Sequence, residues 1–348
     1  MTDADSQLNT NVADISETNL REIYPEALEA LLRDHSTGKN IFWATDNYSE
    51  LGSEFSYRSE IKPALITGNY GKVIRPRVHK DKELQTARVR DMAEVFTPSW
   101  ICNTQNNLID NAWFGYDGAF NKEINTPDGT HTWEVNTDPV RFPDGKKWMD
   151  YVRANRMEIT CGEGPYLTSR YDTTTGEFIP VERRIGILDR KLRIINENTD
   201  SSDSWLEAAQ TAYKSTYAFE WQGDSLLLAR EALLYTFIEN YILKFGKAPL
   251  AKSIKYIAYI ISWNVWQMDG LKYVVPDSCH EKEFSQMTFD FSSDIKEDMR
   301  CPGCATGNNE LHNGIYCLIK DWRAKDPETN KLGKKIIFKS LLKKGVAK

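Results

Sequence analysis

The sequence predicts an α/β fold with a mostly parallel sheet. Strand-like and helix-like segments alternate from about residue 157 to residue 275, an order that is typical of parallel strands joined by helices. Hydrophobic residues make up 41% of the 348 residues and charged residues 27%. Such a composition is ordinary for a globular protein, and it excludes a wholly disordered chain or a collagen-like fibre. The length indicates about two domains.

Composition divides the chain into four regions. Residues 1–20 are rich in Asp, Asn, Thr and Ser, which predicts a disordered N-terminus. Residues 21–90 form a helical and irregular N-terminal region that ends in a basic segment, residues 72–90. Residues 91–275 hold the alternating core, and residues 276–348 form a basic tail that contains Cys and His.

Hydrophobic spacing and helix-start signals assign the individual elements. A helix at Tyr24–Arg33 has Pro25 in its first turn, a position where proline is favoured. The other predictions are a strand at 40–45, a helix at 100–113, a long loop at 115–148, strands at 157–160 and 184–188, helices at 205–217 and 224–245, and an apolar segment at 254–266 that is a helix, a buried strand or both in succession.

Charge is unevenly distributed along the chain. The formal net charge is −6, yet residues 72–90 carry +5 and residues 318–348 carry +7. Two basic stretches on an acidic chain are compatible with phosphate contacts at defined places, and also with two solvated, lysine-rich faces.

The sequence also predicts a cellular compartment. The N-terminus is polar, without an apolar signal region. The most apolar runs fall short of the roughly 20 residues that span a bilayer. We therefore predict a cytoplasmic protein without membrane contact, in which the six cysteines are thiols or metal ligands.

The segment Met157–Tyr166, MEITCGEGPY, carries the clearest chemical signal. A short apolar strand with Glu158 leads into Cys161, Gly162 and Gly164. Glycines at the end of a strand let the backbone turn sharply and approach a nucleotide-like ligand closely. A tight turn without a ligand is the alternative interpretation.

A second segment, AEVFTPSWI at residues 93–101, precedes the glycine motif by about sixty residues. The pair resembles the gamma-class adenine-N6 DNA methyltransferases of restriction–modification systems. The matching positions are Phe96, Thr97, Pro98, Glu158, Cys161, Gly162 and Gly164. The resemblance implies that these residues form part of a binding site for S-adenosylmethionine (SAM).

Two further segments extend the resemblance. In YAFEWQ, the matching acid is Glu220, which the family uses to bind the SAM ribose; Asp189, 25 residues after Gly164, is the alternative. In WNVWQMDGL, Asp269 matches the acid that binds the amine of the SAM adenine. For each acid, an ordinary surface or loop position is the alternative.

From about residue 40 to residue 338 the chain looks like proteins described as subunit M of restriction–modification systems. The resemblance implies a SAM-dependent methyltransferase fold, with a Rossmann-like sheet and helices on both faces. It also implies transfer of a methyl group to adenine N6 in DNA. The basic segment would contact the DNA backbone through Arg75, Arg77, Lys80, Lys82, Arg88 and Arg90.

One element of the family is missing from this sequence. The family's catalytic loop, of the Asn-Pro-Pro-Tyr type, cannot be matched because no Pro-Pro pair occurs. We therefore expect no catalytic residue here and a partner chain that supplies the loop and target recognition, since the chain stops about where the loop would follow. The alternative is a non-catalytic DNA- or protein-binding module with a vestigial SAM pocket.

The C-terminal tail predicts a metal site. Cys301, Cys304, His312 and Cys317 follow the spacing C-x2-C-x7-H-x4-C. Three thiols and an imidazole this close in sequence are typical ligands of a tetrahedral, structural Zn²⁺. The Cys279-His280 pair could replace one ligand, and four unrelated loop residues are the alternative.

Overall fold

The computed structural model describes residues 14–80, 97–127, 129–281 and 299–345. Phe96, Lys82, Arg88 and Arg90 lie outside these residues, so the predictions made for them remain predictions. The same holds for the disorder expected over residues 1–13.

The described chain is a mixed α/β structure with small sheets. Its α-helices are α1 (Glu17–Ile23), α2 (Pro25–Leu32), α3 (Ser99–Phe114), α4 (Trp148–Arg153), α5 (Ile187–Asn198), α6 (Ser202–Lys214), α7 (Gly223–Phe245), α8 (Ala251–Asn264) and α9 (Pro302–Thr306). Its strands are β1 (Asn121–Asn125), β2 (His131–Val135), β3 (Arg156–Glu158), β4 (Thr216–Glu220), β5 (Val265–Gln267), β6 (Leu318–Lys325) and β7 (Leu332–Ile337). Short 3-10 turns lie at Ser49–Leu51, Ser53–Phe55, Pro63–Leu65, Gly68–Tyr70, Arg77–His79, Val181–Arg183 and Phe338–Gly345.

Three parallel strands form the central sheet, in the order β3-β4-β5. Glu158 lies opposite Ala218, and Glu220 lies opposite Gln267. Helices α5 and α6 connect β3 to β4, and α7 and α8 connect β4 to β5. Because connections of this kind bring the carboxyl ends of parallel strands to one edge, the segments after β3, β4 and β5 meet there.

The two faces of this sheet are covered differently. Ala218 and Val265 face the main core with the helices. Phe219 and Trp266 lie on the other face, in a second cluster that includes Phe338 of the C-terminal region. The sheet is therefore short and covered on one face by the C-terminal hairpin of β6 and β7. A Rossmann-like sheet with helices on both faces is not evident among the described residues.

Helix α7 is the central helix of the core. Its residues are buried almost without interruption from Gly223 to Tyr241, which is typical of a helix surrounded by other elements. The guanidinium of the buried Arg230 donates to carbonyls at the ends of three other elements: Leu31 in α2, Ser262 in α8 and Val265 in β5. Arg230 thus links the N-terminal region to the sheet.

Several predicted elements differ from the structure. The strand predicted at residues 184–188 is wrong, because Ile187 begins helix α5. The long loop predicted at 115–148 contains the β1–β2 hairpin, and residues 40–45 form isolated bridges instead of a strand. The predicted disorder ends before residue 20, because Ser16 caps α1 and Leu20 is buried.

Other predictions are confirmed. The helices expected near 24–33, 100–113, 205–217 and 224–245 are present as α2, α3, α6 and α7, and the segment at 254–266 is a helix followed directly by a strand. Among the residues that the structure describes, no helix is both long and apolar enough to cross a membrane.

Candidate functional site

The glycine turn after β3 lies at the carboxyl edge of the central sheet. The backbone N–H of Cys161 donates to the carbonyl of Phe219 in β4 at 2.9 Å. Gly162 and Gly164 have positive φ values, 55° and 77°. Residues other than glycine and asparagine rarely adopt this backbone conformation. A Cβ at Gly162 would meet no atom within 4 Å, so this turn has open space above it.

Glu220, the last residue of β4, holds the glycine turn in place. Its Oε2 accepts the N–H of Gly162 at 2.8 Å, and its Oε1 accepts the N–H groups of Trp221 and Gln222 at 2.8 and 3.2 Å. Since two carboxylate oxygens offer about four acceptor positions, the described residues leave about one position for a ligand. Burial raises the pKa of Glu220, whereas these N–H donors lower it.

Asp269 follows β5 on the same edge. Its Oδ1 accepts the N–H groups of Leu271 and Lys272 at 2.9 and 3.1 Å, and its Oδ2 lies 3.3 Å from the Lys272 ammonium. The N–H of Met268 donates to the carbonyl of Glu220 at 3.0 Å. The structure therefore brings Gly162, Glu220 and Asp269 to three adjacent strand ends.

One carboxyl oxygen of Glu158 has no hydrogen-bond partner in the described part of the chain. This oxygen, Oε2, is buried. Burial raises the pKa of Glu158 well above the ordinary value, and the nearby Glu220 raises it further, while the N–H groups of Tyr166 and Leu167 lower it. The neighbouring Cys161 is buried as well, and burial raises the pKa of its thiol. Cys161 is therefore a packed thiol.

Thr97 and Pro98 approach the glycine turn through Tyr166. Tyr166 packs against the cluster that contains Cys102 of α3, Nδ2 of Asn106 in α3 donates to the carbonyl of Tyr166 at 3.1 Å, and Pro98 is the N-cap of α3. The carbonyl of Thr97 accepts the hydroxyl of Thr173 at 3.0 Å. The two segments that carry the family resemblance are thus neighbours in space, although about sixty residues separate them in the sequence.

Glu163 was missed in the sequence, although it lies between the two glycines. Its carboxylate is buried and accepts the backbone N–H of Arg77 at 2.8 Å and the hydroxyl of Tyr171 at 2.5 Å. These contacts place the basic segment beside the glycine turn. The contact between Glu163 and Arg77 could not be predicted from the sequence, because nothing in a Gly-Glu-Gly segment indicates which residue the acid will contact.

Asp189, the alternative ribose acid, lies elsewhere. It occupies the first turn of α5, where Oδ2 accepts the N–H groups of Gly186 and Ser169 at 3.0 and 2.9 Å. An acid that caps its own helix satisfies the free N–H groups there. Asp189 therefore has a structural role, and its proposed place at a strand end is wrong because residues 184–188 form no strand.

Lys80 does not have the exposure expected of a DNA-backbone contact. Its ammonium is buried and lies 3.4 Å from Oδ2 of Asp224, which also accepts the Tyr48 hydroxyl at 2.8 Å. A buried lysine paired with a carboxylate is not free to neutralise a phosphate. Arg75 and Arg77 are partly exposed and remain candidates.

A second site lies in the C-terminal tail. The side chains of Cys279, Cys301, Cys304 and His312 converge, with their ligand atoms all within 4.8 Å of one another. Cys301 is the N-cap of the short helix α9, Cys304 lies within that helix, and Cys279 comes from the segment after Asp269. This cluster could hold a metal such as zinc.

Cys317, predicted as the fourth ligand, is not part of this cluster. Its thiol is fully buried and donates to the carbonyl of Gln267, the last residue of β5, at 3.4 Å. Cys279 takes the fourth place. The sequence contained the signal in the Cys279-His280 pair, but a ligand more than twenty residues away from Cys301 could not be ranked above one within the motif.

The structure also contains a cavity of about 330 Å³ away from the strand edge, bordered by Phe120, Glu182, Arg184, Arg193, Glu197 and Asn240. None of the residues predicted from the family resemblance to bind a ligand borders it except Asp189.

No protein-family model matches this sequence, and no curated protein or solved structure shows detectable similarity to it.

Proposed function

We propose that this chain is the SAM-binding part of an adenine-N6 DNA methyltransferase of a restriction–modification system. The convergence of three strand ends carries the proposal: the glycine turn after β3, Glu220 at the end of β4 and Asp269 after β5 lie side by side. Ligands of parallel α/β sheets bind at this edge. In the proposal, the short sheet β3-β4-β5 is the part of a Rossmann-like core that binds SAM.

The charges at this edge support a cationic ligand. The Glu220 carboxylate is close enough to raise the pKa of the buried Glu158 carboxyl. A buried carboxyl pair of this kind gains most from a positive ligand. SAM carries a sulfonium and an ammonium group, and Oε2 of Glu158, which makes no hydrogen bond to any residue that the structure describes, is an acceptor for the ammonium.

The chain would bind SAM without completing the reaction. In methyl transfer, the adenine N6 attacks the methyl carbon, the carbon–sulfur bond breaks, and the N6 proton leaves to a nearby acceptor. The adenine must first be flipped out of the duplex and stacked. Because the sequence has no Pro-Pro loop for this task, we propose that a partner chain supplies the acceptor, the stacking ring and target recognition.

Contacts with the DNA backbone would come from the basic segment. Arg75 and Arg77 lie beside the glycine turn, because the N–H of Arg77 is bonded to Glu163. Arginines contribute affinity by neutralising phosphates, without choosing a sequence. The cluster of Cys279, Cys301, Cys304 and His312 adds a structural Zn²⁺ as a second cofactor of the proposal.

Calorimetric titration of the purified chain with SAM tests the proposal. The wild type should bind SAM, and Gly162→Asn should bind it far more weakly. Asparagine tolerates the positive φ of this position, but its side chain would occupy the open space above the turn. Gly246→Asn is the matched control, because Gly246 has a φ of 67°, ends α7 and also has open space around it.

Three outcomes decide between the hypotheses. Absence of SAM binding by the wild type would contradict both the methyltransferase and a functional SAM pocket. Binding followed by methyl transfer to DNA only after the partner chain is added would support the split enzyme. Binding without transfer in any combination would favour the alternative, a non-catalytic DNA- or protein-binding module.

A further inference from the structure

We propose that Cys279, Cys301, Cys304 and His312 bind one structural Zn²⁺ and that this ion fixes the segment after β5, which carries Asp269. The zinc assignment is independent of methyl transfer. Its consequence for SAM rests on the proposed function, because Asp269 belongs to the candidate cofactor site. The two parts therefore need different measurements.

The distances in the cluster fit a tetrahedral ion. Nδ1 of His312 lies 3.6 Å from Sγ of Cys279, 3.6 Å from Sγ of Cys301 and 3.7 Å from Sγ of Cys304. Zinc–sulfur bonds of about 2.3 Å and zinc–nitrogen bonds of about 2.0–2.1 Å at tetrahedral angles predict a nitrogen–sulfur separation of about 3.6 Å. The imidazole is thus equidistant from the three thiols, as a shared ion requires.

The surroundings orient the ligands. Nε2 of His312 lies 3.2 Å from Oδ1 of Asn309, which leaves Nδ1 to face the sulfurs. The backbone N–H of Asn313 lies 3.3 Å from Sγ of Cys301. Hydrogen bonds of this kind fix the ring and stabilise a negatively charged sulfur at metal sites. Without them, Nε2 of His312 and Sγ of Cys301 would need water molecules as hydrogen-bond partners.

Two glycines show how tightly the cluster is enclosed. A Cβ at Gly303 would lie 2.5 Å from Nδ1 of His312, and a Cβ at Gly314 would lie 2.9 Å from the backbone nitrogen of Cys279. Neither position could hold a larger residue without moving a ligand. Because four protein ligands fill a tetrahedron, no coordination position remains for a water or substrate, and the ion would be structural.

The cluster is connected directly to the candidate cofactor site. Backbone hydrogen bonds join Asp269 to Val274, Val275 to Ile315, and Cys317 to Tyr273. The Lys272 ammonium, in the same segment, lies 3.3 Å from Oδ2 of Asp269. These backbone bonds pair the segment from Asp269 to Cys279 with the segment from His312 to Cys317. A metal bound to both Cys279 and His312 would therefore hold the two segments together next to Asp269.

Metal analysis of the purified full chain tests the zinc assignment. We expect about one Zn²⁺ per chain, together with an intense visible spectrum of tetrahedral Co²⁺ when cobalt is added to the metal-free protein. Wild-type protein that holds no zinc and takes up no Co²⁺ would overturn the site.

Two single substitutions test the ligand set. Cys279→Ser should lose zinc, whereas Cys317→Ser should retain it, because the serine hydroxyl can still donate to Gln267. The reverse result would overturn the set in favour of the four residues closest in sequence. If Cys279→Ser does not fold, the sulfur-to-cobalt absorption of the wild type still counts the thiolates, and fewer than three would contradict the proposal.

Hydrogen exchange tests the link to Asp269 without using SAM. Removing the metal should increase exchange at residues 271–281 and 312–317, while exchange in the buried interior of α7 stays unchanged. Equal protection with and without metal would overturn the link. Loss of protection in α7 as well would also overturn it, because the ion would then be needed for the whole fold.

If the link is correct, the metal-free protein should also bind SAM more weakly than the metal-loaded protein. Failure of SAM binding in both forms would contradict the proposed function and leave the zinc result intact. Equal binding in both forms would contradict only the role of the ion at Asp269.

Discussion

The backbone N–H of Gly162 donates a hydrogen bond of 2.8 Å to Oε2 of Glu220. The bond joins the turn after β3 to the end of β4, two segments that lie 58 residues apart in the sequence. The bond holds the glycine turn at the carboxyl edge of the sheet, where a ligand would bind. Because the acceptor is a carboxylate, the conformation of the turn depends on whether Glu220 is ionised.

Glu220→Gln should weaken both the fold and SAM binding. An amide offers only one acceptor oxygen, so its NH₂ group would face either the N–H of Gly162 or those of Trp221 and Gln222. Losing hydrogen bonds to a charged acceptor should lower the free energy of unfolding by about 1.5–3 kcal/mol. Urea unfolding and calorimetric titration with SAM measure the two effects.

Asp189→Asn is the control for Glu220→Gln. Asp189 is also a buried acid that accepts several N–H groups, so its substitution should destabilise the fold to a similar degree. Folded Asp189→Asn protein should nevertheless bind SAM as the wild type does. A loss of SAM affinity in this variant equal to that in Glu220→Gln would restore Asp189 as the ribose acid.

Glu239→Gln should destabilise the protein strongly. The Glu239 carboxylate is the shared partner of two buried arginines, at 2.7 Å from Arg170 and 2.5 Å from Arg184. Removing one member of a buried ion-pair network leaves uncompensated charge and typically costs about 3–5 kcal/mol. Urea unfolding at neutral pH measures the change, and a cost below about 1 kcal/mol would show that the arginines find other partners.

Glu231→Gln, the same substitution two turns earlier in α7, should have the opposite effect. Both carboxylate oxygens of Glu231 are buried without a hydrogen-bond partner among the described residues, and burial raises its pKa well above the ordinary value. The folded state therefore holds a proton that the unfolded state releases above the ordinary glutamate pKa, so wild-type stability falls as pH rises.

The neutral amide removes this dependence. We expect Glu231→Gln to be more stable than the wild type at about pH 8, with a smaller difference at about pH 5. Urea unfolding at both pH values gives the comparison with Glu239→Gln. Destabilisation of Glu231→Gln at the higher pH would mean that the ionised carboxylate has a partner.

His35 should make stability fall in acid. Its ring stacks on Trp263 at 3.8 Å and is bonded to the hydroxyl of Ser262 at 2.9 Å. Burial, with help from nearby cations such as Arg230, lowers the pKa of His35 to about 3. As pH falls through the ordinary histidine pKa, the unfolded chain takes up a proton that the folded chain refuses, so stability is lost.

Between about pH 7 and pH 5 this effect should cost up to about 2 kcal/mol. His35→Gln should abolish that part of the pH dependence of unfolding. Parallel pH curves for the wild type and His35→Gln would contradict the assignment.

Helices with a clear apolar pattern and a start or stop signal were predictable from the sequence. Pro25 begins α2, and Gly115 and Gly246 end α3 and α7 in the left-handed conformation. Residues 184–188 were not predictable, because the four apolar and small residues that follow Arg184 fit a strand and a helix entry equally. Asp189, the third residue of α5, is the capping residue that indicates a helix start here.

The candidate site divides in the same way. Glycine spacing identified Gly162 and Gly164, and the family resemblance identified Glu220 and Asp269, which the structure then brings to adjacent strand ends. The partners of Glu163 and Lys80 could not be predicted, because Tyr171 and Asp224 become their neighbours only after the chain has folded.

The sequence by itself determined local matters: where helices begin and end, which turn needs glycine, and that three thiols and an imidazole are available for a metal. Only the tertiary structure decided which of six cysteines meet. Cys317 lies within the sequence motif, but directly before β6 its thiol points toward β5, while Cys279 returns from the segment after Asp269. Coordination depends on distances of a few ångströms in space, and these are fixed by the pairing of residues 269–281 with 312–317, which spacing along the chain does not encode.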